Sequence, residues 1–279
     1  MIKVIIFLLI ISSYFLLIAD FTELNWGARG MALGNAYCSL SDEPTTIFWN
    51  CAGMGKISHI SLAVSHQNMY GINNFYNEMV AVVIPLQYVK IGLGYTQMNL
   101  WDVYSEQITY LSVSSIIWYR KIPLRFGVSG KHYLAQVKDY AEADSPQNFD
   151  CDISFDTNFS KNFTFSFITR NLLESSYKFI NVAENINREY ILSAAYKWEK
   201  GVNFTCDYIK NEQNLVNLGI EMWFYKVFAP RIGLRNGAFT TGFGLKHKQW
   251  QFDGAIFPQE ELGSTYRLAL IWKFGNLGL

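Results

Sequence analysis

Residues 27–36 read Gly-Ala-Arg-Gly-Met-Ala-Leu-Gly-Asn-Ala, and residues 42–55 read Asp-Glu-Pro-Thr-Thr-Ile-Phe-Trp-Asn-Cys-Ala-Gly-Met-Gly. Both runs are rich in small residues and lack the alternation of apolar and polar side chains that begins at Lys56. Asp42 is suited to cap a short helix with Pro44 in its first turn, and Gly53 and Gly55 are expected to end that helix. The contrast predicts a compact plug over residues 20–55 and a closed sheet around it over residues 56–279.

Period-2 alternation recurs in about 14 segments after Lys56, which predicts an all-β fold, a transmembrane antiparallel β-barrel. In residues 163–168 the phenylalanines share one face, and in the last segment Leu268 and Leu270 oppose Arg267. A charge on a lipid-facing wall costs about 2–4 kcal/mol at mid-depth, so we expect the apolar faces to contact lipid and the charged faces to point inward. The predicted strands are roughly 56–66, 74–86, 88–98, 108–119, 123–136, 149–159, 162–171, 188–198, 202–210, 215–225, 228–235, 240–247, 250–257 and 264–274.

The connections between these segments alternate in length. Every second one is tight, near Tyr88, Lys121, Lys161, Lys200, Lys226 and Lys248, while most of the others are longer and more polar. A transmembrane barrel has this pattern, with short turns on the periplasmic side and longer loops outside, whereas a β-sandwich does not separate loop length in this way. The mixed pattern of 108–119 predicts a bulge near Ser114 and Ser115.

Residues 1–19 predict a secretory signal peptide, with Lys3 before an apolar run and Ala19 as the last residue before cleavage. An uncleaved anchor is the alternative. Cys38 and Cys51 both lie in the plug and could pair there, whereas Cys151 and Cys206 fall on apolar faces and are expected to act as small hydrophobes. The zero net charge gives no indication of nucleic-acid binding.

The N-terminal runs resemble the signature of FadL-like outer-membrane proteins, closest to the PorV/PorQ branch linked to type IX secretion. The resemblance rests on Gly27, Arg29, Gly34, Ala36, Asp42 and the run 48–53, and again on residues 262–274. The family usually has Asn-Pro-Ala-Gly where this chain has Cys51 in place of proline, so the turn after Asn50 loses a fixed φ. The resemblance implies a 14-stranded barrel with an N-terminal hatch in the outer membrane of a Gram-negative-type bacterium.

Candidate site residues fall in two groups. The plug motif comprises Gly27, Arg29, Gly34, Asp42, Phe48, Trp49, Asn50 and Gly53. The candidate lumen charges are Arg125, Lys131, Asp150, Asp152, Asp156, Asp207, Arg231, Arg235, Asp253 and Arg267. These charges either line a pore or ligand cavity, or pair with one another and with the plug to fill the interior.

Three plug residues carry specific expectations. A buried guanidinium must meet carboxylates or carbonyls, so Arg29 is expected to fix the plug to the wall. Phe48 and Trp49 either pack against the inner wall or line an apolar pocket. Asn50 is expected to close the turn after the short helix by bonding to backbone.

No nucleophile motif, zinc-ligand spacing or calcium loop is present in the sequence, so we expect no enzyme activity, cofactor or metal. Two functions follow from the resemblance. One is a PorV/PorQ-type barrel for protein secretion, with exported proteins or secretion-machinery subunits as partners. The other is a FadL-like transporter of hydrophobic small molecules such as long-chain fatty acids. Outer-membrane lipid is a partner in both, and a soluble periplasmic β-protein is the third possibility.

Overall fold

The computed structural model describes residues 27–101, 103–137, 146–179, 182–259 and 262–274. The predicted signal peptide and the first residues of the predicted plug lie outside this set. Fourteen antiparallel strands close into one barrel, and a two-stranded hairpin is separate from it. The strands are β1 (Ser61–Asn68), β2 (Phe75–Pro85), β3 (Val89–Leu100), β4 (Tyr104–Tyr119), β5 (Ile122–Val137), β6 (Gln147–Asn158), β7 (Phe163–Arg170), β8 (Ser176–Phe179), β9 (Val182–Asn185), β10 (Glu189–Lys197), β11 (Val202–Lys210), β12 (Asn214–Met222), β13 (Phe228–Arg235), β14 (Ala238–His247), β15 (Trp250–Gln259) and β16 (Gly263–Lys273).

The wall has no free edge, because the first strand pairs with the last. β1 pairs with β16 from Ser61 opposite Lys273 to Asn68 opposite Tyr266. β8 and β9 form the hairpin, and β7 pairs directly with β10 in the wall. The closed barrel of 14 strands confirms the predicted fold class, and closure satisfies the backbone donors and acceptors of every wall strand.

The side chains alternate across the wall in the predicted sense. Leu268 of β16 is 53% exposed and Phe167 of β7 is 40% exposed on the outer face, whereas Arg267, the neighbour of Leu268 in the chain, is fully buried on the inner face. The six tight connections lie together at one end, here called the turn end, and the seven remaining connections lie at the other, the loop end. The three longest connections, 69–74, 138–146 and 171–188, lie at the loop end as predicted. The connections 101–103, 211–213, 236–237 and 260–262 at the same end are as short as the turns, so the predicted separation of short and long connections holds only in part.

Residues 27–60, here called the inner segment, lie inside the barrel. They form a helix at Ala28–Ala32, a helix at Thr46–Trp49 and a 3-10 helix at Cys51–Lys56. The first helix contacts the β13–β16 side of the wall and the 3-10 helix contacts β3–β6. Nearly all side chains of the segment through Met54 are buried. None of its helices, nor any other in the described residues, has the length and apolarity to cross a membrane.

Several local predictions are wrong. β1 begins at Ser61 instead of residue 56, because Cys51–Lys56 winds into a 3-10 helix that includes Gly53 and Gly55. β4 has no bulge at Ser114, since its pairing with β5 is continuous from Tyr104 to Tyr119. The mixed pattern arises because Ile116 lies against the inner segment near Gly55 while Ile117 faces outward.

Close backbone contact between segment and wall explains two glycines. Gly34 has a φ of +64°, and a Cβ there would lie 2.5 Å from the backbone nitrogen of Leu234. A Cβ on Gly233 of β13 would lie 2.0 Å from the backbone nitrogen of Gly34. The inner segment therefore rests directly on the backbone of β13, and only glycine fits on either side of this contact.

We expect Gly233→Ala to abolish or strongly reduce folding, since overpacking against backbone cannot be relieved by a rotamer change and costs about 1–3 kcal/mol or more. Gly130→Ala is the matched control, because Gly130 is an exposed strand glycine whose added Cβ would have its nearest neighbour at 3.9 Å. The measurement is the fraction of refolded protein that migrates as a compact, heat-modifiable band. Equal folded fractions for the two variants would contradict the close contact.

Candidate functional site

The centre of the candidate site is an ion network between the inner segment and the wall. Arg29 donates from Nε and Nη2 to the two carboxylate oxygens of Glu221, at 2.8 and 2.9 Å. Its Nη1 lies 2.6 Å from Asp42 Oδ1 and 3.3 Å from Glu43 Oε2. The bidentate geometry fixes both the position and the orientation of the guanidinium. The first helix of the inner segment is thus attached to β12.

A second arginine extends this network through the wall strands. Arg231 Nε lies 2.7 Å from Glu221 Oε2, and Arg231 Nη1 lies 2.6 Å from Asp253 Oδ1. Gln251 donates to both Asp253, at 2.8 Å, and Glu43, at 3.2 Å. Two guanidinium groups therefore share four carboxylates.

The excess of carboxylates acts differently on neighbouring residues of the inner segment. Burial opposes ionisation of Asp42, but the positive charges of Arg29 and Lys197 and the hydrogen bond from Arg29 together outweigh it and hold the pKa of Asp42 below its ordinary value. Burial raises the pKa of Glu43, because the attraction of Arg29 is partly offset by the negative charge of Asp253. A proton taken up by this network therefore goes to Glu43 before Asp42.

A second ion cluster lies on the opposite side of the inner segment, around Asp156 of β6. Asp156 accepts from Arg125 Nη1 at 2.7 Å, from Lys56 Nζ at 2.8 Å and from Ser166 Oγ at 2.8 Å. Lys56 also donates to the Ser39 carbonyl at 2.8 Å, so the end of the inner segment is fixed to the wall here.

Asp207 binds the inner segment through backbone amides instead of a cation. Its Oδ2 accepts from the backbone N–H groups of Tyr37 and Cys38 at 3.1 and 3.0 Å, and its Oδ1 accepts from Ser193 Oγ. Burial raises the pKa of the Cys38 thiol well above its ordinary value and that of Cys51 to about 12. Both thiols are free and the predicted possibility of a Cys38–Cys51 pair is not realised.

Two plug residues have partners other than those predicted. Asp42 does not cap the short helix, whose N-cap is Thr45, because its carboxylate instead pairs with Arg29. Asn50 does not close its own turn; its Nδ2 donates to the Cys38 carbonyl at 3.0 Å and to Ser166 Oγ at 3.2 Å. Gly53 does not end the short helix, because that helix stops at Trp49 and Gly53 lies within the 3-10 helix Cys51–Lys56. A Cβ on Gly53 would lie 2.4 Å from Thr46 Oγ1.

The aromatic residues of the inner segment pack in the barrel core. Phe48 meets Tyr110 of β4 edge to face at 4.9 Å, and Trp49 meets Tyr37 in the same way at 5.8 Å. Arg170 Nη2 donates to the Trp49 carbonyl at 3.0 Å. Of the two sequence interpretations for Phe48 and Trp49, the structure places both in packing contacts.

At the loop end, two aspartates hold the backbone that follows β7. Asp152 pairs with Lys131 at 2.6 Å and accepts from the Asn171 N–H at 2.9 Å. Asp150 accepts from the N–H groups of Leu173 and Ser175 at 3.0 and 3.2 Å. Asn171 has a φ of 54°, so the chain turns sharply here and is kept against the inner face of β6.

We expect Asp150→Ala to release this turn, because it leaves two backbone donors without partners at a cost of about 1–3 kcal/mol each. Protease cleavage within residues 171–188 should then be faster, while the folded barrel persists. Asp253→Ala provides a comparison, since among the described residues Asp253 bonds to the wall side chains of Arg231 and Gln251, and its loss should not change cleavage of the 171–188 loop. Unchanged cleavage in Asp150→Ala would show that other contacts hold the turn.

Arg267 differs from Arg125, Lys131 and Arg231, which pair with carboxylates. Arg267 is fully buried, yet its only hydrogen bond among the described residues is from Nη2 to Asn77 Oδ1 at 3.3 Å. Arg235 lies over the Phe257 ring at 5.5 Å. Phe257 also lines a cavity of about 660 Å³ at the loop end, together with Phe239 and Leu262.

Apolar side chains pack inside the barrel between the inner segment and the loop end. These inward-facing residues come from β2, β3, β4, β5, β7, β10 and β11, and they form one buried cluster with Leu33, Tyr37 and Phe48 of the inner segment. They are Met79, Met98, Ile108, Tyr133, Ala135, Ile168, Ile191 and Ile209. Sequence reasoning placed charges in the lumen but missed this apolar surface.

Four charged residues of the site were also missed by the sequence reasoning: Lys56, Glu43, Arg170 and Glu221. Glu221 and Arg170 occupy inward positions of β12 and β7, so strict alternation would have found them. The described residues contain no group of His, Cys, Asp and Glu that could hold a metal ion.

Comparisons with known proteins agree on the fold. No family model matches the sequence, and no curated protein matches it. The FadL homologue of Pseudomonas aeruginosa superimposes with a TM-score of 0.62 at 10% identity, covering 92% of this chain and 100% of that one. The P. putida toluene transporter TodX gives 0.63 at 8% identity, covering 90% and 99%. The CymD monoaromatic hydrocarbon channel gives 0.64 at 8% identity, covering 92% and 100%.

One of these neighbours is described as a FadL homologue, and the others as a toluene transporter and a monoaromatic hydrocarbon channel. Their folds agree with the FadL-like part of the resemblance and give no support to the narrower PorV/PorQ assignment. At such low identity the agreement concerns architecture. This chain has the fold of the FadL-type outer-membrane channels, with a closed antiparallel barrel of 14 strands around an N-terminal inner segment.

Proposed function

We propose that this protein is a non-enzymatic channel in the outer membrane of a Gram-negative-type bacterium, and that it passes hydrophobic small molecules. The turn end would face the periplasm and the loop end the outside, as the lengths of the connections favour. Support for the membrane comes from the outward apolar side chains of the wall. The fold supports the transport class, since the similar structures are described as hydrocarbon channels and a toluene transporter.

The apolar cluster inside the barrel is the observation that carries this proposal. The interior of a water-filled barrel is polar, whereas here Met79, Ile108, Ile168 and Ile191 face inward and are buried. Once movement of the inner segment exposes them, these side chains favour a hydrophobic ligand over a hydrated one, because burial of apolar area contributes about 25 cal/mol per Å². The substrate class is therefore a hydrocarbon or a long-chain fatty acid.

The wall also offers a candidate passage between lumen and lipid. Val64, Val80, Leu268 and Leu270 line a groove of about 460 Å³ on the outer face of β1, β2 and β16. The groove reaches Ser65, Met79 and Ala269, whose side chains point inward. Small inward residues at Ser65 and Ala269 make the wall thin here, so a ligand could leave sideways at this point.

The inner segment packs against this apolar cluster inside the barrel. Transport then requires that the segment move relative to the wall, and the ion network around Arg29 would set how easily it does so. The secretion role implied by the PorV/PorQ resemblance has no comparable observation in its favour, so we do not extend the proposal to protein partners.

Uptake by cells that lack their own channel of this kind tests the proposal. We expect expression of the wild-type chain to raise uptake of a long-chain fatty acid or toluene, with no change for a polar sugar. Met98→Trp should lower uptake by narrowing the lumen, because Met98 packs inward against the apolar cluster. Leu111→Trp is the matched control on the outward face of the adjacent strand. Uptake equal to that of cells without the protein would overturn the proposal.

A further inference from the structure

Charge is divided unequally between the two ends of the barrel. The six tight connections carry six Lys or Arg and one Glu: Arg120, Lys121, Lys161, Lys200, Lys226, Lys248 and Glu199. The seven connections at the loop end carry three Lys or Arg and nine Asp or Glu. The net charge of the whole chain is zero. The charge difference between the two ends therefore comes from where the charged residues lie and not from an excess of one sign.

Each tight turn also has an exposed aromatic residue within two positions of a cation. Tyr88, Phe159 and Tyr225 are 78%, 75% and 95% exposed. The six aromatic and cationic neighbours are Tyr88 with Lys90, Tyr119 with Arg120, Phe159 with Lys161, Trp198 with Lys197, Tyr225 with Lys226, and Trp250 with Lys248. The pairs follow the whole circumference instead of one side of the barrel.

The cations at the turn tips have few protein partners. The described structure has no ion pair for Arg120, Lys121, Lys161, Lys226 or Lys248, all of which are exposed. By contrast the cations inside the barrel, such as Arg231, are bonded to carboxylates. The turn-end cations are therefore available to an external anion.

We propose that this ring of aromatic and basic residues binds the head groups of anionic phospholipids in the leaflet that the turn end faces. Aromatic rings sit at the level of the head groups, and each Lys or Arg near an anionic surface adds attraction. A protein partner would be expected to meet one contiguous patch, whereas lipid surrounds the barrel on all sides, as the pairs do. The inference rests on the proposed membrane location and adds a lipid class to it.

Retained lipid tests the inference directly. The wild-type barrel is reconstituted in vesicles that contain phosphatidylglycerol and phosphatidylcholine, extracted in mild detergent, and its bound lipid measured by native mass spectrometry. We expect phosphatidylglycerol to be enriched over its share in the vesicles. A combined variant replaces the five turn-tip cations with glutamine: Arg120→Gln, Lys121→Gln, Lys161→Gln, Lys226→Gln and Lys248→Gln. We expect the enrichment of phosphatidylglycerol to fall in this variant, by at most about fivefold for each residue replaced.

The control variant is Lys210→Gln, which removes an exposed cation at the loop end and should leave the enrichment unchanged. High salt should weaken retention, because the Debye length falls to about 3 Å at 1 M. Equal retention of the two lipids by the wild type, or equal enrichment in the neutralised variant, would overturn the inference. The inference would also be overturned if the turn end retained an acidic protein while phosphatidylglycerol showed no enrichment.

This experiment is separate from the uptake assay. A barrel that takes up fatty acid but shows no lipid preference would leave the channel proposal standing and remove the lipid ring. A barrel that enriches phosphatidylglycerol but takes up no hydrophobic solute would support the lipid ring and overturn the channel proposal.

Discussion

Arg29→Met is expected to detach the inner segment from the wall at the β12 side and to open a leak through the barrel. The guanidinium is almost completely buried and bonds to three carboxylates, so its loss leaves Glu221, Asp42 and Glu43 facing one another with one remaining arginine nearby. Removing one partner of a buried ion pair costs about 3–5 kcal/mol. We expect the remaining contacts of the first helix to be too weak to offset this loss, so the helix should shift away from the wall.

Two measurements follow the release of the segment. Conductance of single barrels in planar bilayers should rise in Arg29→Met, and protease cleavage within residues 27–60 should become faster. Arg29→Lys is the graded comparison, because an ammonium retains the charge but loses the bidentate geometry with Glu221. We expect it to fall between the wild type and Arg29→Met.

A double-mutant cycle separates the contact itself from general loosening. Arg29→Met, Glu221→Gln and the double variant are compared for the free energy of unfolding in denaturant. Since Arg29 donates two bonds to Glu221, we expect the double variant to lose less than the sum of the single losses, by about 0.5–3 kcal/mol. Wild-type conductance and cleavage in Arg29→Met would show that the network does not hold the segment.

The barrel was predictable because its wall strands alternate strictly between apolar and polar side chains. Each strand must keep one face apolar, so Phe163, Phe167, Leu268 and Leu270 reveal the alternation that closes into 14 strands. The longest connections also lie at one end of the barrel. These signals are local and repeated, and they are visible along a single strand.

The inner segment was harder to predict, because its contacts join residues far apart in the chain. Asp42 has the composition of a helix cap, yet the nearby Arg29 gives its carboxylate a charged partner. Glu221 is 192 positions from Arg29, and no local pattern shows which plug residue meets which strand. The residue types at the site could be inferred from the sequence, whereas their pairing depended on the three-dimensional position of the segment.

Arg231→Met and Arg267→Met are expected to have opposite effects on stability, although both remove a buried arginine from the inner wall. Arg231 pairs with Glu221 and Asp253 at 2.7 and 2.6 Å and donates to the Phe243 carbonyl at 3.1 Å. Loss of Arg231 removes the cation that pairs with Asp253 beside Gln251. It also removes one of the two cations that pair with Glu221, the partner of Arg29. We expect about 3–5 kcal/mol lower free energy of unfolding.

Arg267 has no carboxylate partner among the described residues and only one hydrogen bond, to Asn77. Burial of an unpaired guanidinium costs several kcal/mol, and methionine of similar length removes that cost while it keeps the packing. Arg267→Met should therefore be as stable as the wild type or more stable, by about 1–3 kcal/mol. Unfolding in denaturant, followed by the loss of the heat-modifiable band, compares the two variants under the same conditions.

The comparison of Arg231→Met with Arg267→Met tests whether a buried arginine in this barrel stabilises the fold only when it is paired with a carboxylate. If Arg267→Met loses as much stability as Arg231→Met, Arg267 has an anionic partner beyond the described residues. If it gains stability but lowers the uptake of fatty acids more than that of toluene, the unpaired cation serves the carboxylate of a substrate. Since a neutral hydrocarbon gains nothing from a cation, the ratio of the two uptake rates separates a structural role from a substrate-binding one.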